Sequence, residues 1–147
     1  MKWIWPHLCA LAPHPIMTGS RVLILGVGVD LIRIQEVGEA IDRSGMRFLK
    51  KVFTPREIDA GSAVADKAAY FATRFAAKES ILKAFSTGWI GIEGTDIEIE
   101  PGPLGEPLVK LTGNLAEIAR KRRVDSVLVS LSYDSEYAMA MAILSRY

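Results

Sequence analysis

Runs of branched apolar residues alternate with helical patterns in the first part of the chain. The segment 21–31 is dominated by Val, Leu and Ile with two glycines among them, which favours a strand buried on both faces. In the segment that follows, 34–41, the apolar residues recur at helical spacing. Ser44 and Gly45 predict the end of that helix. The first two elements are therefore expected to be a strand and a helix.

The middle of the chain carries the clearest helix signals. Residues 53–57 read Phe-Thr-Pro-Arg-Glu. Thr54 can cap a helix, the proline suits the first helical position, and Glu57 completes a capping box. The segment 66–85 is rich in Ala and Lys and contains neither Gly nor Pro, so it is predicted to be the longest helix of the protein.

The remaining pattern consists of short strands around one further helix. Polar and apolar residues alternate where strands are expected, turn residues separate them, and a capping pattern precedes the helix. The predicted elements are strands at 96–100 and 108–111, a helix at 114–123, and a hairpin of strands at 126–132 and 136–144. This order predicts an α+β fold with a largely antiparallel sheet in a single domain over 21–147.

The first twenty residues differ from the rest because they contain three prolines and show no sustained period. We interpret 1–20 as a flexible extension, or as an adventitious one upstream of a start at Met17. His7, Cys9 and His14 lie in it, but a structural zinc site needs four ligands. The hydrophobic stretch is interrupted by Pro6, which argues against a signal peptide.

Composition narrows the class of protein. The 147 residues include 18 Lys and Arg against 17 Asp and Glu, giving a net charge of +1, which argues against nucleic acid as the main partner. A single cysteine excludes an internal disulfide framework. No apolar run approaches the roughly 18 residues of a membrane span. We therefore expect a protein of the cytoplasm with no membrane partner.

A carboxylate interrupts the apolar stripe of the predicted long helix. Glu79 lies four residues after Phe75, and an unpaired buried carboxylate is costly. Lys83 is a favourably spaced partner, so a simple ion pair on a solvated helix is one interpretation. Arg74 and Lys78 add two more cations nearby, which suits a phosphate-bearing ligand held through a divalent metal. The residues alone leave both interpretations open.

A second carboxylate, Asp30, ends the apolar strand at the edge of the predicted core. A carboxylate in that place must be solvated, paired or bound to a cation, and a cap or turn role is an alternative. The two histidines lie at or before residue 14, which argues against a Ser-His-Asp mechanism.

Four short motifs follow one another along the chain. They are Gly-Val-Asp at 28–30, Phe-Thr-Pro-Arg-Glu at 53–57, Arg-Phe-Ala-Ala-Lys-Glu-Ser at 74–80 with Lys-Ala-Phe at 83–85, and Gly-Glu-Pro at 105–107. They occur in the order seen in holo-acyl-carrier-protein synthases. From about residue 22 to 144 the chain resembles this short bacterial type of 4′-phosphopantetheinyl transferase, and the block at 74–79 is the most specific part of the resemblance.

The resemblance implies a small antiparallel sheet packed on a long central helix, and a homotrimer with active sites between subunits. It also implies a magnesium-dependent enzyme of fatty acid biosynthesis. Such an enzyme moves 4′-phosphopantetheine from coenzyme A to a serine of apo acyl carrier protein and releases adenosine 3′,5′-bisphosphate.

The resemblance further implies roles for individual residues. Asp30 and Glu79 would hold the metal, and Lys83 would meet the diphosphate, so that these three form the catalytic set. Arg74 and Lys78 would contact phosphates of coenzyme A together with Lys83. The base that takes the serine proton is left open between Glu79 and a water bound to the metal.

Three positions depart from the family pattern. Glu36 stands where relatives often have Arg, and Leu128 and Tyr133 stand where they commonly have His. These departures motivate an alternative, a catalytically degenerate module that binds coenzyme A or a carrier protein without turnover. Positive surface for an acidic carrier would come instead from Arg33, Arg43 and Arg47.

Overall fold

A computed structural model describes residues 2–3 and 21–147. Its elements are β1 Lys2–Trp3, β2 Leu23–Arg33, α1 Ile34–Val52, α2 Pro55–Ser62, α3 Lys67–Phe85, β3 Ile97–Pro101, β4 Pro107–Leu111, α4 Gly113–Arg122, β5 Ser126–Tyr133 and β6 Tyr137–Arg146. The candidate zinc ligands His7, Cys9 and His14, the start at Met17 and nearly all of the predicted extension lie outside the described residues.

Two antiparallel sheets surround the helix α3. The larger sheet has the strand order β1-β5-β6-β2, and the smaller one pairs β3 with β4. Helix α3 packs on β2, β5 and β6 and also contacts α1, α2 and β3. The predicted α+β fold, with antiparallel strands on a long central helix, is confirmed. In the described residues no helix has the length and apolar character needed to cross a bilayer.

Strand β2 is buried on one face and exposed on the other. Its inner positions Gly28 and Asp30 are buried, whereas Val27, Val29 and Leu31 are 56%, 49% and 59% exposed. The prediction of a strand buried on both faces is therefore wrong for the single chain. The reason is the antiparallel pairing with β6, which leaves only one side of the sheet covered by a helix.

Several inner positions of β2 and β6 are occupied by very small residues. A Cβ at Gly28 would lie 2.0 Å from the carbonyl oxygen of Ser80, and one at Gly26 would lie 2.2 Å from that of Ala84. On β6, Ala138, Ala140 and Ala142 are fully buried. The two glycines therefore allow the backbones of β2 and α3 to approach closely.

The helix boundaries follow the local signals with one exception. Thr54 and Glu57 form the predicted capping box at the start of α2. Helix α3 spans 19 residues without a break. Helix α1 does not end at Gly45 as predicted, because the chain kinks there, at φ 52° and ψ −134°, and continues as helix to Val52.

Six apolar side chains lie together on the side of the larger sheet away from α3. They are between 39% and 59% exposed, and the strand register places them in neighbouring rows. We call this the outer sheet face; it comprises Val27, Val29, Leu31, Leu128, Met139 and Met141. An exposed apolar patch of this kind is typical of an interaction surface.

Candidate active site

Asp30 and Lys83 meet between β2 and α3. The Lys83 ammonium lies 2.6 Å from Oδ1 of Asp30 and also donates to the carbonyl oxygen of Val29 at 3.2 Å. The close approach at Gly28 brings strand and helix together just before this pair. Two residues 53 positions apart in sequence are thus joined as an ion pair.

The second oxygen of Asp30 has no hydrogen-bond partner although it is buried. A buried carboxylate oxygen without a donor is costly, and a bound cation would satisfy it. Across residues 2–3 and 21–147 no group of three or more His, Cys, Asp or Glu side chains gathers as a metal cage. Mg²⁺ commonly uses one or two carboxylates and takes its other ligands from phosphates and water, so the donor set of Asp30 and Glu79 fits Mg²⁺.

Glu79 lies one helical turn before Lys83 on α3 but does not pair with it. Its Oε1 accepts a hydrogen bond of 2.7 Å from the indole nitrogen of Trp89, and Lys83 is bound to Asp30 instead. The interpretation of Glu79 and Lys83 as a simple ion pair is therefore wrong. The half-buried Glu79 carboxylate is left with a neutral donor.

Lys78 is fully buried and is not placed to meet coenzyme A. Its ammonium donates to the carbonyl oxygens of Val52 and Gly94, both at 2.8 Å. It also lies 2.7 Å from Oε2 of Glu57. Because an ammonium has three protons to donate, all of them are used inside the protein, and the predicted phosphate contact is wrong. Burial lowers the pKa of Lys78, and the adjacent Glu57 carboxylate opposes that shift.

Glu57 does more than cap α2. Its Oε2 accepts from the backbone nitrogen of Thr54 at 2.9 Å, and its Oε1 accepts from that of Ile99 at 3.0 Å. With the bond to Lys78, this carboxylate ties α2 and β3 to α3. We call Glu57, Lys78 and their hydrogen-bond partners the Lys78 cluster. The capping pattern accounted for Glu57 by itself, so the sequence held no signal for this second role.

Arg74 lies near the Gly-Glu-Pro motif. The half-buried guanidinium stacks on the ring of Tyr70, with 3.8 Å between its central carbon and the ring centroid. Arg74 lines a small cavity with Gly105 and Pro107, and its Nε is buried without a hydrogen-bond partner. Its Nη1 donates to Oγ1 of Thr73 at 3.1 Å. The structure therefore joins two of the sequence motifs around one cation that keeps an unpaired Nε.

The three departures from the family pattern lie in different places. Glu36 is exposed in the first turn of α1. Leu128 belongs to the outer sheet face. Tyr133, at the end of β5, lines a cavity of about 190 Å³ with Arg74 and Asp66.

Trp89 is the site residue that the sequence interpretation missed. It lies in the loop after α3, between Gly88 and Gly91, and its ring stacks on Phe75 with 6.4 Å between centroids. A large aromatic residue in a glycine-containing loop was the available signal. Its importance depends on the hydrogen bond to Glu79, which the spacing did not predict.

Known proteins resemble this chain over most of its length. The family model of the 4′-phosphopantetheinyl transferase superfamily matches residues 26–142. The holo-[acyl-carrier-protein] synthase of Desulforudis audaxviator is 46% identical over 123 residues, covering 82% of this chain and 92% of that protein. The synthase of Clostridium acetobutylicum is 44% identical over 122 residues, covering 83% and 98%. The Helicobacter pylori synthase in complex with coenzyme A superposes with a TM-score of 0.71 at 28% identity, covering 80% and 98%.

Proposed function

The chain belongs to the 4′-phosphopantetheinyl transferase superfamily, and we propose that Asp30 and Glu79 hold the magnesium ion of its reaction. The activity is the transfer of 4′-phosphopantetheine from coenzyme A to a serine of apo acyl carrier protein, with release of adenosine 3′,5′-bisphosphate. Nothing in the comparisons favours the alternative of a degenerate module that binds without turnover.

The buried Oδ2 of Asp30 is the observation that carries the metal assignment. It has no donor within the described chain, while Oδ1 is already bound to Lys83. Glu79, one turn before Lys83 on the same helix, supplies the second carboxylate. When bound, Mg²⁺ offsets negative charge on the phosphate oxygens of coenzyme A.

Lys83 and Arg74 are the cations proposed to meet coenzyme A. Two of the three Lys83 ammonium protons are donated, to Asp30 and to Val29, and the side chain is 53% exposed. One donor therefore remains for the diphosphate. The unsatisfied Nε of Arg74 supports a contact with another phosphate group. Fixed cations of this kind stabilise charge that develops during phosphoryl transfer.

We further propose a homotrimer whose active sites lie between subunits. The outer sheet face supports this assembly, because its apolar side chains are uncovered in the single chain. Action on the carrier protein of fatty acid biosynthesis, in the cytoplasm, completes the proposal. Residues 21–147 form the transferase domain, and the segment before them is an extension to it.

The transfer reaction tests the metal assignment. Apo acyl carrier protein is incubated with coenzyme A, Mg²⁺ and enzyme, and its intact mass is followed. We expect a gain of one phosphopantetheine that a chelator abolishes. Asp30→Asn and Glu79→Gln should slow the gain at least about 1,000-fold, because a metal ion supplies several kcal/mol of charge stabilisation.

Glu117→Gln is the matched control, since Glu117 is exposed and pairs only with Arg120 at the surface of α4. Wild-type rates in both Asp30→Asn and Glu79→Gln would refute the metal assignment. Coenzyme A binding with no mass gain on several carriers would instead favour the degenerate module.

Sedimentation tests the assembly. The wild-type protein should sediment as a trimer of the 16.1 kDa chain, and Met141→Glu on the outer sheet face should release monomers. Leu104→Glu is the control, because Leu104 is a 66% exposed apolar residue outside that face. A trimer that persists in Met141→Glu would exclude this face as the interface.

A further inference from the structure

The indole of Trp89 contacts the proposed metal-binding helix in two ways. Its Nε1 donates to Oε1 of Glu79 at 2.7 Å. Its ring lies nearly parallel to that of Phe75, with 19° between the planes. Phe75 and Glu79 are one turn apart on α3, so the half-buried indole covers the stretch of helix that leads to the carboxylate.

The loop that carries Trp89 is fixed at both ends. The backbone nitrogen of Thr87 donates to the carbonyl oxygen of Leu82 at 3.2 Å. At the far end, the side-chain amide of Asn114 donates to the carbonyl oxygen of Gly91 at 2.8 Å. Gly88 and Gly91 adopt left-handed conformations, at φ 57° and 69°, which side chains larger than glycine rarely adopt. The position of Trp89 is therefore set by the backbone of its own loop.

We propose that Trp89 is a positioning residue for Glu79, and that its indole N–H orients the carboxylate for the magnesium ion. This inference rests on the proposed role of Glu79. A free glutamate side chain loses rotamer freedom when it is ordered, and the Trp89 bond imposes that order before metal binds. Oε2 and the remaining lone pair of Oε1 stay available to a cation.

Within residues 21–147 no cation forms an ion pair with Glu79. Lys83, one turn further along α3, is bound to Asp30, and Lys78 is bound to Glu57. The donor to Glu79 is thus neutral, so it orients the carboxylate without neutralising its charge. Donors of this type behind a metal ligand typically change metal affinity or activity by about 10–100-fold.

Trp89→Phe tests the indole N–H independently of the aromatic ring. It removes the N–H, whereas the phenylalanine ring can still stack on Phe75. Mn²⁺ binding is measured by electron paramagnetic resonance with coenzyme A present and carrier protein absent, so that no turnover occurs. We expect the apparent Kd for Mn²⁺ to rise about tenfold or more in Trp89→Phe. Mg²⁺ added to the wild-type protein with coenzyme A should also change tryptophan fluorescence, and this change should disappear in the variant.

Three further variants make the result specific. Ile90→Ala is the loop control, since Ile90 is 91% exposed beside Trp89, and it should bind Mn²⁺ as the wild type does. Phe75→Leu removes the stacked ring and keeps the indole N–H. Trp89→His carries a ring N–H and should recover part of the affinity lost in Trp89→Phe. It also provides the test if Trp89→Phe does not fold.

The outcomes distinguish this inference from the metal assignment. Wild-type Mn²⁺ affinity in Trp89→Phe, with binding lost in Glu79→Gln, would overturn the role of Trp89 and leave the metal site intact. Equal losses in Phe75→Leu and Trp89→Phe would assign the effect to packing and would also overturn it. Unchanged Mn²⁺ binding in Glu79→Gln would instead refute the proposed role of Glu79.

Discussion

Two lysines on α3 have opposite surroundings. Lys78 is fully buried, and all three of its protons are donated to Glu57, Val52 and Gly94. The side chain of Lys83 is 53% exposed, and its partner Asp30 keeps one buried oxygen without a donor. The Lys78 cluster is therefore closed, since every proton of its ammonium has a partner. The site of Lys83 and Asp30 is open, since one carboxylate oxygen has none.

The difference shows how structural and reactive charges can be separated. A buried polar group that serves the fold is normally fully hydrogen-bonded. A group that serves a ligand must keep a donor or an acceptor free until the ligand arrives. By this criterion the Lys78 cluster holds the helices and strands together, whereas Asp30, Glu79 and Lys83 keep atoms free for a ligand, as the proposed site requires.

The largest effect on stability should come from breaking the closed cluster. In Lys78→Met, Glu57 is left buried without its cation, and we expect the free energy of unfolding to fall by about 3–5 kcal/mol. For a chain of this size the melting temperature should drop by roughly 10 °C or more. Urea denaturation of the variant measures the loss.

The double variant Lys78→Met with Glu57→Gln provides the control. Removing both charges should restore part of the stability, because no unpaired ion remains buried. If Lys78→Met were as stable as the wild type, the Lys78 cluster would not hold the fold.

The same substitution five residues later should act mainly on rate. Lys83→Met removes a half-exposed ammonium but leaves the Asp30 carboxylate, 10% exposed, with neither oxygen paired, so the free energy of unfolding should fall by about 1–3 kcal/mol, less than in Lys78→Met. Transfer to the carrier should slow by about 100-fold or more, the typical effect of removing one stabilising donor. Both effects are measured on one preparation of Lys83→Met. Intact-mass measurements give the rate of transfer, and urea denaturation gives the free energy of unfolding. Loss of stability without loss of rate would reverse the assignment of the two lysines.

The smallest effect on the proposed site should come from the contact between β2 and α3 at Gly28, because this contact acts on the site only through the position of Asp30. In Gly28→Ala the new methyl group meets the carbonyl oxygen of Ser80 at 2.0 Å, so β2 must move away from α3. Overpacking of this kind costs about 1–3 kcal/mol, and the shift should also weaken Mn²⁺ binding by moving Asp30. Gly88→Ala is the comparison, because its strain comes from φ 57° and its Cβ would meet nothing within 4 Å. Unaltered Mn²⁺ binding in Gly28→Ala would show that Asp30 does not depend on this contact.

Elements with local signals could be predicted from sequence. The Thr54 cap, the uninterrupted helix α3 and the hairpin of β5 and β6 depend on neighbouring residues, and each was confirmed. The outer sheet face could not be predicted in this way. An apolar strand has the same composition whether its second face meets a helix or remains uncovered in the protomer.

The roles of the two lysines also lay beyond the local pattern. Five residues on a helix correspond to a rotation of about 140°, so Lys78 and Lys83 point in different directions. Lys78 is the buried one because its partners Glu57 in α2 and Gly94 before β3 lie on its side of the helix. Both partners are distant in sequence. The resemblance marked both lysines as functional, and only the hydrogen bonds distinguish them.

The contact of Gly26 and Gly28 with α3 has a consequence for dynamics. Where two backbones touch without side chains between them, there are no rotamers to repack, and the distance between strand and helix cannot adjust by small side-chain movements. The separation of the backbone segments that carry Asp30 and Lys83 is thus set by direct backbone contact and not by side-chain packing. Preorganisation of this kind avoids a reorganisation cost when charge develops. The contact also restricts which residues can occupy positions 26 and 28, since even alanine, the next larger residue, would collide with the backbone of α3.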